Sequence, residues 1–426
     1  MQKNTLFNFI KSSPSAYHTV DTVKRSLLAN GYTELSEGDK WELSSGGKYF
    51  VVRSGSSIIA FRNIDNANGY TVCASHSDFP AFRVKVTEES VGAYVSVPVE
   101  KYGGAINYTW LDRPLSVAGR IMVRTPSGVD IRLVNLDSDA LVIPSVAIHL
   151  NRTVNDGYKF NLAKDMIPLL TTNEHSGELM ERIAKLAGAS AEDVISHDLF
   201  LYVREEGKIV GLNGEFALAP RLDNLASVYS SLSAFISSTP SKNIPVLAVF
   251  DNEEVGNETK QGAKSTFLSS VLSRISGSAE EHYMRLSSSF MASVDNAHAK
   301  HPNFPELSDT QNAPFLSGGI AVKYNANQRY ATDGVSDAVF RRVCELSDVT
   351  LQSFTNRADI LGGTTLGSAS DTLVSIPTVD IGIPQLAMHS AVELASMSDI
   401  KDMERALCAL YSAELKFGAD ELTVKG

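Results

Sequence analysis

The apolar positions change period along the chain, and those changes divide it. Over 15–32, Val20, Val23, Leu27 and Leu28 recur every three or four residues, which places them on one helical face, and Asn30-Gly31 supplies the stop. Apolar runs of strand length follow at 48–55 (KYFVVRSG), 56–62 (SSIIAFR) and 70–77 (YTVCASHS). From about 88 to 213 the texture is β-like and alternating, in 93–100, 115–125, 130–136 and 199–205, with one helical piece over 177–188. After 214, helices predicted over 223–238, 262–276, 336–348 and 403–415 are interleaved with apolar strands at 244–250, 290–297 and 378–383. Strands interleaved with helices belong to a mostly parallel sheet covered on both faces. The expected fold is α/β: residues 1–87 and 214–426 form one domain, a mostly parallel sheet sandwiched by helices, and 88–213 an inserted β-rich domain.

Composition narrows the function classes. With 43% apolar and 20% charged residues the 426-residue chain is an ordinary globular one. A net charge of −11 without any Lys/Arg cluster argues against a nucleic-acid partner, which needs a basic surface. No apolar run approaches the roughly 18 residues of a membrane span, and the first residues lack the apolar core of a secretory signal. Cys73, Cys344 and Cys408 are odd in number and far apart, so no disulfide framework is read and a cytoplasmic setting is expected.

The chemistry gathers at strand ends. TVCASHSD ends in His76 and Asp78, VLAVFDNEE in Glu253 and Glu254, SVDNAH in Asp295, and GIPQLAMH in His389, while Asp223 opens the helix at 223. Open α/β sheets place their sites beyond the carboxyl ends of the strands. Singly, each residue reads as a turn, a cap or a hydrogen-bonded structural group, as His18, His175, His197 and His282 do. Together, two histidines and several carboxylates form the N/O set that suits two divalent cations, most simply zinc, with manganese or cobalt as alternatives. A bridging carboxylate holds such a pair together. Of two adjacent glutamates, one can bind a metal while its neighbour moves a proton. Asp78, two residues after His76, suits a carboxylate that fixes the imidazole tautomer. No HExxH or GxSxG occurs, and the loop GGTTLGSAS at 362–370 lacks the lysine of a phosphate-binding loop.

In the order ASHSDFPAFRVK, RLDNLASV, FDNEEVGNETKQGAKST, SVDNAHAKHPNF, VKYNANQRYA and GIPQLAMHSAVE, with KYGGAINYTWLDRPLSVAGR and IPSVAIHLNRTVN in the insertion, the chain resembles the aspartyl aminopeptidases. These are dizinc exopeptidases that remove acidic N-terminal residues from peptides. The resemblance implies an inserted dimerisation domain and dimers assembled into a tetrahedral dodecamer. It also implies that Asp223 bridges two zinc ions, with His76 and Asp295 on one and Glu254 and His389 on the other. Glu253 becomes the general base acting on a metal-activated water, and Asp78 the orienting partner of His76. His149, reaching a neighbouring subunit, is placed at the substrate with His298, Lys323 and Tyr330. An aminopeptidase of neutral or other specificity, or a non-catalytic assembly protein that kept the fold, is the alternative.

Overall fold

The computed structural model describes residues 5–85, 87–239, 242–360, 362–417 and 421–426. Its principal sheet has nine strands: β1 (Thr33–Leu35), β2 (Lys48–Arg53), β3 (Ser57–Arg62), β4 (Tyr70–His76), β5 (Ile244–Phe250), β6 (Phe290–Val294), β7 (Ile320–Tyr324), β8 (Leu351–Thr355) and β9 (Thr378–Gly382). Their spatial order is β1-β2-β3-β5-β4-β6-β9-β7-β8. The four central strands β5, β4, β6 and β9 run parallel. Antiparallel pairing enters only on the flanks, at β2–β3, β3–β5 and β9–β7.

Every residue of β4, β5, β6 and β9 is buried. The reason is visible in β5. Leu247 and Val249 pack into one apolar core, while Val246, Ala248 and Phe250 pack into a second core on the opposite face. Alternate residues of a strand face opposite ways, so a strand covered on both sides reads as an unbroken apolar run. The first core is closed by the helices Ala16–Ala29, Leu222–Ser237, Gly334–Leu346 and Met397–Ser412, the second by Phe267–Ser276.

Some predicted boundaries move. The helix expected over 262–276 starts at Phe267, because residues 257–266 form turns in which Gly262 lies against the Asn257 backbone; a Cβ there would sit 2.3 Å from the Asn257 oxygen. The helix expected from 336 begins at Gly334, capped by Asp333, which accepts from Val335 N and Ser336 N. The last helix starts at Met397, capped by Ser396, rather than at 403.

Residues 81–203 build a five-stranded antiparallel sheet, in the order Gly128–Asn135, Leu115–Thr125, Val194–Val203, Ala81–Val84 and Val99–Tyr102, and a three-stranded one from Leu169–Thr172, Tyr94–Ser96 and Glu89–Val91. Gly128–Asn135 is an edge strand and leaves Val129, Ile131 and Leu133 exposed. Residues 144–150, with Val146, Ile148 and Leu150, are exposed as well. A further small sheet was not foreseen. It joins Lys208–Val210, Phe216–Ala219, Glu393–Ser396, Pro384–Leu386 and Ala297–His298. Strands of two to four residues carry too few positions for a period to show. Among the described residues no helix is long and apolar enough to cross a membrane.

Candidate metal centre

The central strands end side by side, so the residues that follow them meet. Parallel pairing sets His76, the last residue of β4, opposite Phe250 at the end of β5. From there the chain passes Asp251 and Asn252 into the short turn of Glu253–Val255. β6 leads directly into Asp295, and β9 continues through Pro384–Leu386 to His389. Asp223 approaches from the small sheet, just after Phe216–Ala219, in a non-helical stretch at the start of its helix: Asp223 has φ −81°, ψ 110° and Asn224 φ −114°, ψ 21°.

Asp223 divides its two oxygens between the two histidines. Oδ1 lies 3.6 Å from His76 Nε2, and Oδ2 lies 3.4 Å from His389 Nε2. Asp295 Oδ1 is also 3.4 Å from His76 Nε2, and Glu254 Oε1 is 3.3 Å from His389 Nε2. Each imidazole therefore faces two carboxylates, with Asp223 common to both. Good N–H···O bonds are shorter than this. Two ligand atoms about 2.0–2.1 Å from a shared tetrahedral zinc sit roughly 3.3 Å apart, so the separations are those of ligands around a cation. Asp223 Oδ1 is buried without a hydrogen-bond partner, and donor atoms of His76, Asp223 and Glu254 all lie within 4.8 Å of one another. The residues present fit a pair of divalent cations.

A layer of hydrogen bonds fixes these groups. Asp78 Oδ2 accepts from the Tyr102 hydroxyl at 2.6 Å and from Glu254 N at 3.2 Å, and Oδ1 accepts from Glu253 N at 3.2 Å. His76 Nδ1 lies 3.3 Å from Asp78 Oδ1 and 3.0 Å from the Asp78 carbonyl oxygen. Asp78 thus holds both the imidazole of one strand and the glutamate turn of the next. Glu393 does the same on the other side, accepting from Asp223 N at 2.9 Å and from His389 N at 2.6 Å. His389 has φ 66°, a left-handed conformation that costs a non-glycine residue on the order of 1–3 kcal/mol and that Glu393 helps to hold.

Tyr102 and its two following glycines come from the end of Val99–Tyr102, so the β-rich segment presses on the centre. Gly103, at φ +70°, sits where a Cβ would be 3.0 Å from Glu254 Cβ; at Gly104 a Cβ would be 3.1 Å from His389 Nδ1. Any side chain at these two positions displaces a candidate ligand. Ile106 N also donates to His389 O at 2.9 Å.

Electrostatics agree with the geometry. Seven carboxylates, of Asp78, Asp223, Asp251, Glu253, Glu254, Asp295 and Glu393, surround two histidines and Lys323 in a nearly solvent-free region. Uncompensated buried charge costs several kcal/mol per ion, so the set calls for cations. Burial, reinforced by the charge of Asp223, pushes the Glu393 carboxyl up to about 8; burial and the Asp78 charge push Asp251 up to about 7. Glu253 is raised well above the usual carboxylate range by burial, with Asp295, Glu254 and Asp78 adding to it. Burial acts to lower the pKa of His76, but hydrogen bonds to Asp223, Asp295 and Asp78 outweigh it and raise the group. Asp223 is held below its usual range, against the effect of burial, by His389 and His76.

The remaining sequence candidates separate. Lys323 is buried with its ammonium 3.2 Å from Asp295 Oδ2, and the Tyr330 ring lies 5.6 Å from that nitrogen. His298 packs edge-on to Phe354, which also meets Tyr330. These three therefore cluster beside the centre. His149 does not; it stands in the exposed run 144–150. His18 and His175 bond locally to Ser15 and Glu178. The loop at 362–370 packs against buried Asp380, which accepts from Thr365 Oγ1 at 2.7 Å. Sequence reasoning missed Tyr102 and Glu393. Glu393 carried a signal, an acid four residues after His389, whereas Tyr102 lay far away in the chain and carried none.

The profile of the family described as aminopeptidase I zinc metalloprotease (M18) matches residues 9–411. A protein of Clostridium acetobutylicum described as probable M18 family aminopeptidase 2 is 43% identical over 422 residues, covering 96% of this chain and 98% of that one. A structure of the Ape4 and Nbr1 complex contains a chain that superposes with a TM-score of 0.92 at 33% identity, covering 95% of this chain and 84% of that one. The mApe1 dodecamer of S. cerevisiae gives 0.83 at 26% identity, with 95% of each chain covered. The chain belongs to the M18 family of zinc metallo-aminopeptidases.

Proposed function

We propose that the protein removes acidic residues from the N-termini of peptides, using two divalent cations held by His76 and Asp295 on one side, Glu254 and His389 on the other, and Asp223 between them. The observation that carries this reading is the division of the Asp223 oxygens between the two imidazoles. When bound, such a pair supplies Lewis-acid polarisation of the scissile carbonyl and of a water. Glu253 is the general base. Its buried carboxylate takes a proton from that water and returns it to the departing amine. Asp78 keeps the His76 ring in register and anchors the Glu253 backbone, so that base and ligand share one support.

His298, Lys323 and Tyr330 form the substrate side. Lys323 is the cation that favours an acidic first residue. We take the assembly to be homo-oligomeric, dimers gathered into a tetrahedral dodecamer, in line with the dodecameric mApe1. His149, in its exposed run, then reaches a neighbouring subunit's centre. A cytoplasmic setting is part of the proposal.

One observation favours a second reading, neutral specificity: the Lys323 ammonium already has a partner in Asp295. Rates on Asp-, Glu-, Leu- and Lys-anilides separate the two. Acidic specificity predicts that the Asp and Glu substrates lead by at least about tenfold in kcat/KM, a difference of one well-placed charge contact. A lead for Leu or Lys ends it.

A further inference from the structure

We propose that the cavity walled by residues 324–327, Arg329, residues 355–360 and Gly362 is a carboxylate-binding subsite for the peptide, with Arg329 as its anchoring cation. It holds about 730 Å³, which is room for an organic ligand rather than for one ordered water. Arg329 is half-buried. Among the described residues its guanidinium has one acceptor, Gly362 O at 3.0 Å, and no carboxylate. Arg357 on the same wall is already neutralised, since both oxygens of Asp359 accept from it at 2.6 Å, and it also donates to Glu306 O. Among its described residues the wall therefore carries one uncompensated positive charge, on a group that never deprotonates. The planar fork of a guanidinium matches a carboxylate through two parallel bonds.

A second feature points the same way. Asn356 Oδ1, at this cavity, is buried and has no donor. Buried acceptors are ordinarily satisfied; this one lies against Gly362, whose carbonyl already holds Arg329. A relay of three side chains links the cavity wall to the metal centre. The Asn356 side chain reaches the Tyr330 hydroxyl, the Tyr330 ring lies 5.6 Å from Lys323 Nζ, and Lys323 Nζ is 3.2 Å from Asp295 Oδ2. Lys323 is shared with Asp295, and among the described residues lining the cavity Arg329 is the cation without a carboxylate partner. The inference rests on peptidase activity and is independent of which first residue is preferred.

Two carboxylates of a short peptide have the required chemistry, the acidic side chain of its first residue and its carboxyl terminus. Four substrates separate them: Asp-Ala, Ala-Ala and the C-terminal amide of each, assayed for kcat and KM with the metal-loaded enzyme. The Asp-Ala to Ala-Ala ratio of kcat/KM reads the side chain; the Ala-Ala to Ala-Ala-amide ratio reads the terminus. Arg329→Met lowers one of these ratios about tenfold or more, mainly through KM, as expected for a charged hydrogen bond. Arg329→Lys keeps an intermediate value. Asn356→Asp lowers the same ratio by setting a negative charge in the cavity while leaving Arg329 in place, and it decides the matter if Arg329→Met does not fold. Both ratios unchanged, including an equal fall of all four rates, would overturn the proposal and leave Arg329 as a tie for the loop at Gly362. Should the wild type prefer Ala-Ala to Asp-Ala, acidic specificity fails while the terminal ratio still judges the cavity.

Discussion

The metal centre and the outer edge of the 81–203 sheet break the usual rule of burial in opposite senses. At the carboxyl ends of the central strands the chain buries a cluster of carboxylates, and Asp223 Oδ1 has no hydrogen-bond partner. At the edge strand Gly128–Asn135 it exposes apolar residues, with Ile131 62% exposed, and the run 144–150 continues this with Leu150 at 83%. Buried charge without a counter-charge and exposed apolar surface at an open strand edge are both unfavourable in an isolated chain. Under the proposed function each region is completed from outside, the first by cations and the second by another copy of the chain. Tyr102, Gly103 and Gly104 stand between the two, on the β-rich side but against Asp78, Glu254 and His389.

The comparison can be broken first at the centre. Glu253→Gln keeps the shape and removes the base, so kcat should fall by about 10²–10⁴-fold while metal content stays the same. Full activity in that variant would remove Glu253 from the reaction. The junction comes next. Tyr102→Phe deletes one hydroxyl donor to Asp78 and should cost about 10–100-fold in metal affinity or activity, the usual range for groups that support a ligand. An unchanged chelator titration and unchanged kcat would show that the β-rich segment does not support the centre.

At the edge, Ile131→Lys places a charge on the open strand and should weaken self-association, by roughly 30-fold if the position contributes about 2 kcal/mol. Mass measured in solution checks it, and an unaltered mass would mean that another surface makes the assembly. The smallest effect concerns the thiols. Burial pushes Cys73 and Cys344 up to about 12, so both should stay unlabelled by a thiol reagent near neutral pH, while the half-exposed Cys408 reacts. Rapid labelling of Cys73 would contradict the closed core around β4.

Much of the centre was legible because it depends on local rules. A strand buried on both faces reads as an apolar run, its carboxyl end is where sites form, and so His76, Glu253, Glu254, Asp295 and His389 could be picked out as strand-end residues. The parallel pairing of β5, β4, β6 and β9 then brings those ends together. β7 and β8 were not foreseen: IAVKY is too short to separate strand from helix, and LQSFT is a half-buried edge with little alternation. Nor were the pieces of the small sheet, whose pairing partners lie up to 180 residues apart, as in Phe216 with Ser396. The supporting role of Tyr102 arises from tertiary contact that no local spacing encodes, whereas Glu393 stands four residues after His389 and was open to notice.

The account stands on cations gathered around Asp223, and metal content tests it most directly. Elemental analysis of the purified wild type should give about two divalent ions per chain, as a shared bridging carboxylate implies. The same analysis of folded Asp223→Ala should give close to none. Fewer than one ion in the wild type after dialysis against zinc, or an undiminished content in Asp223→Ala, would contradict it.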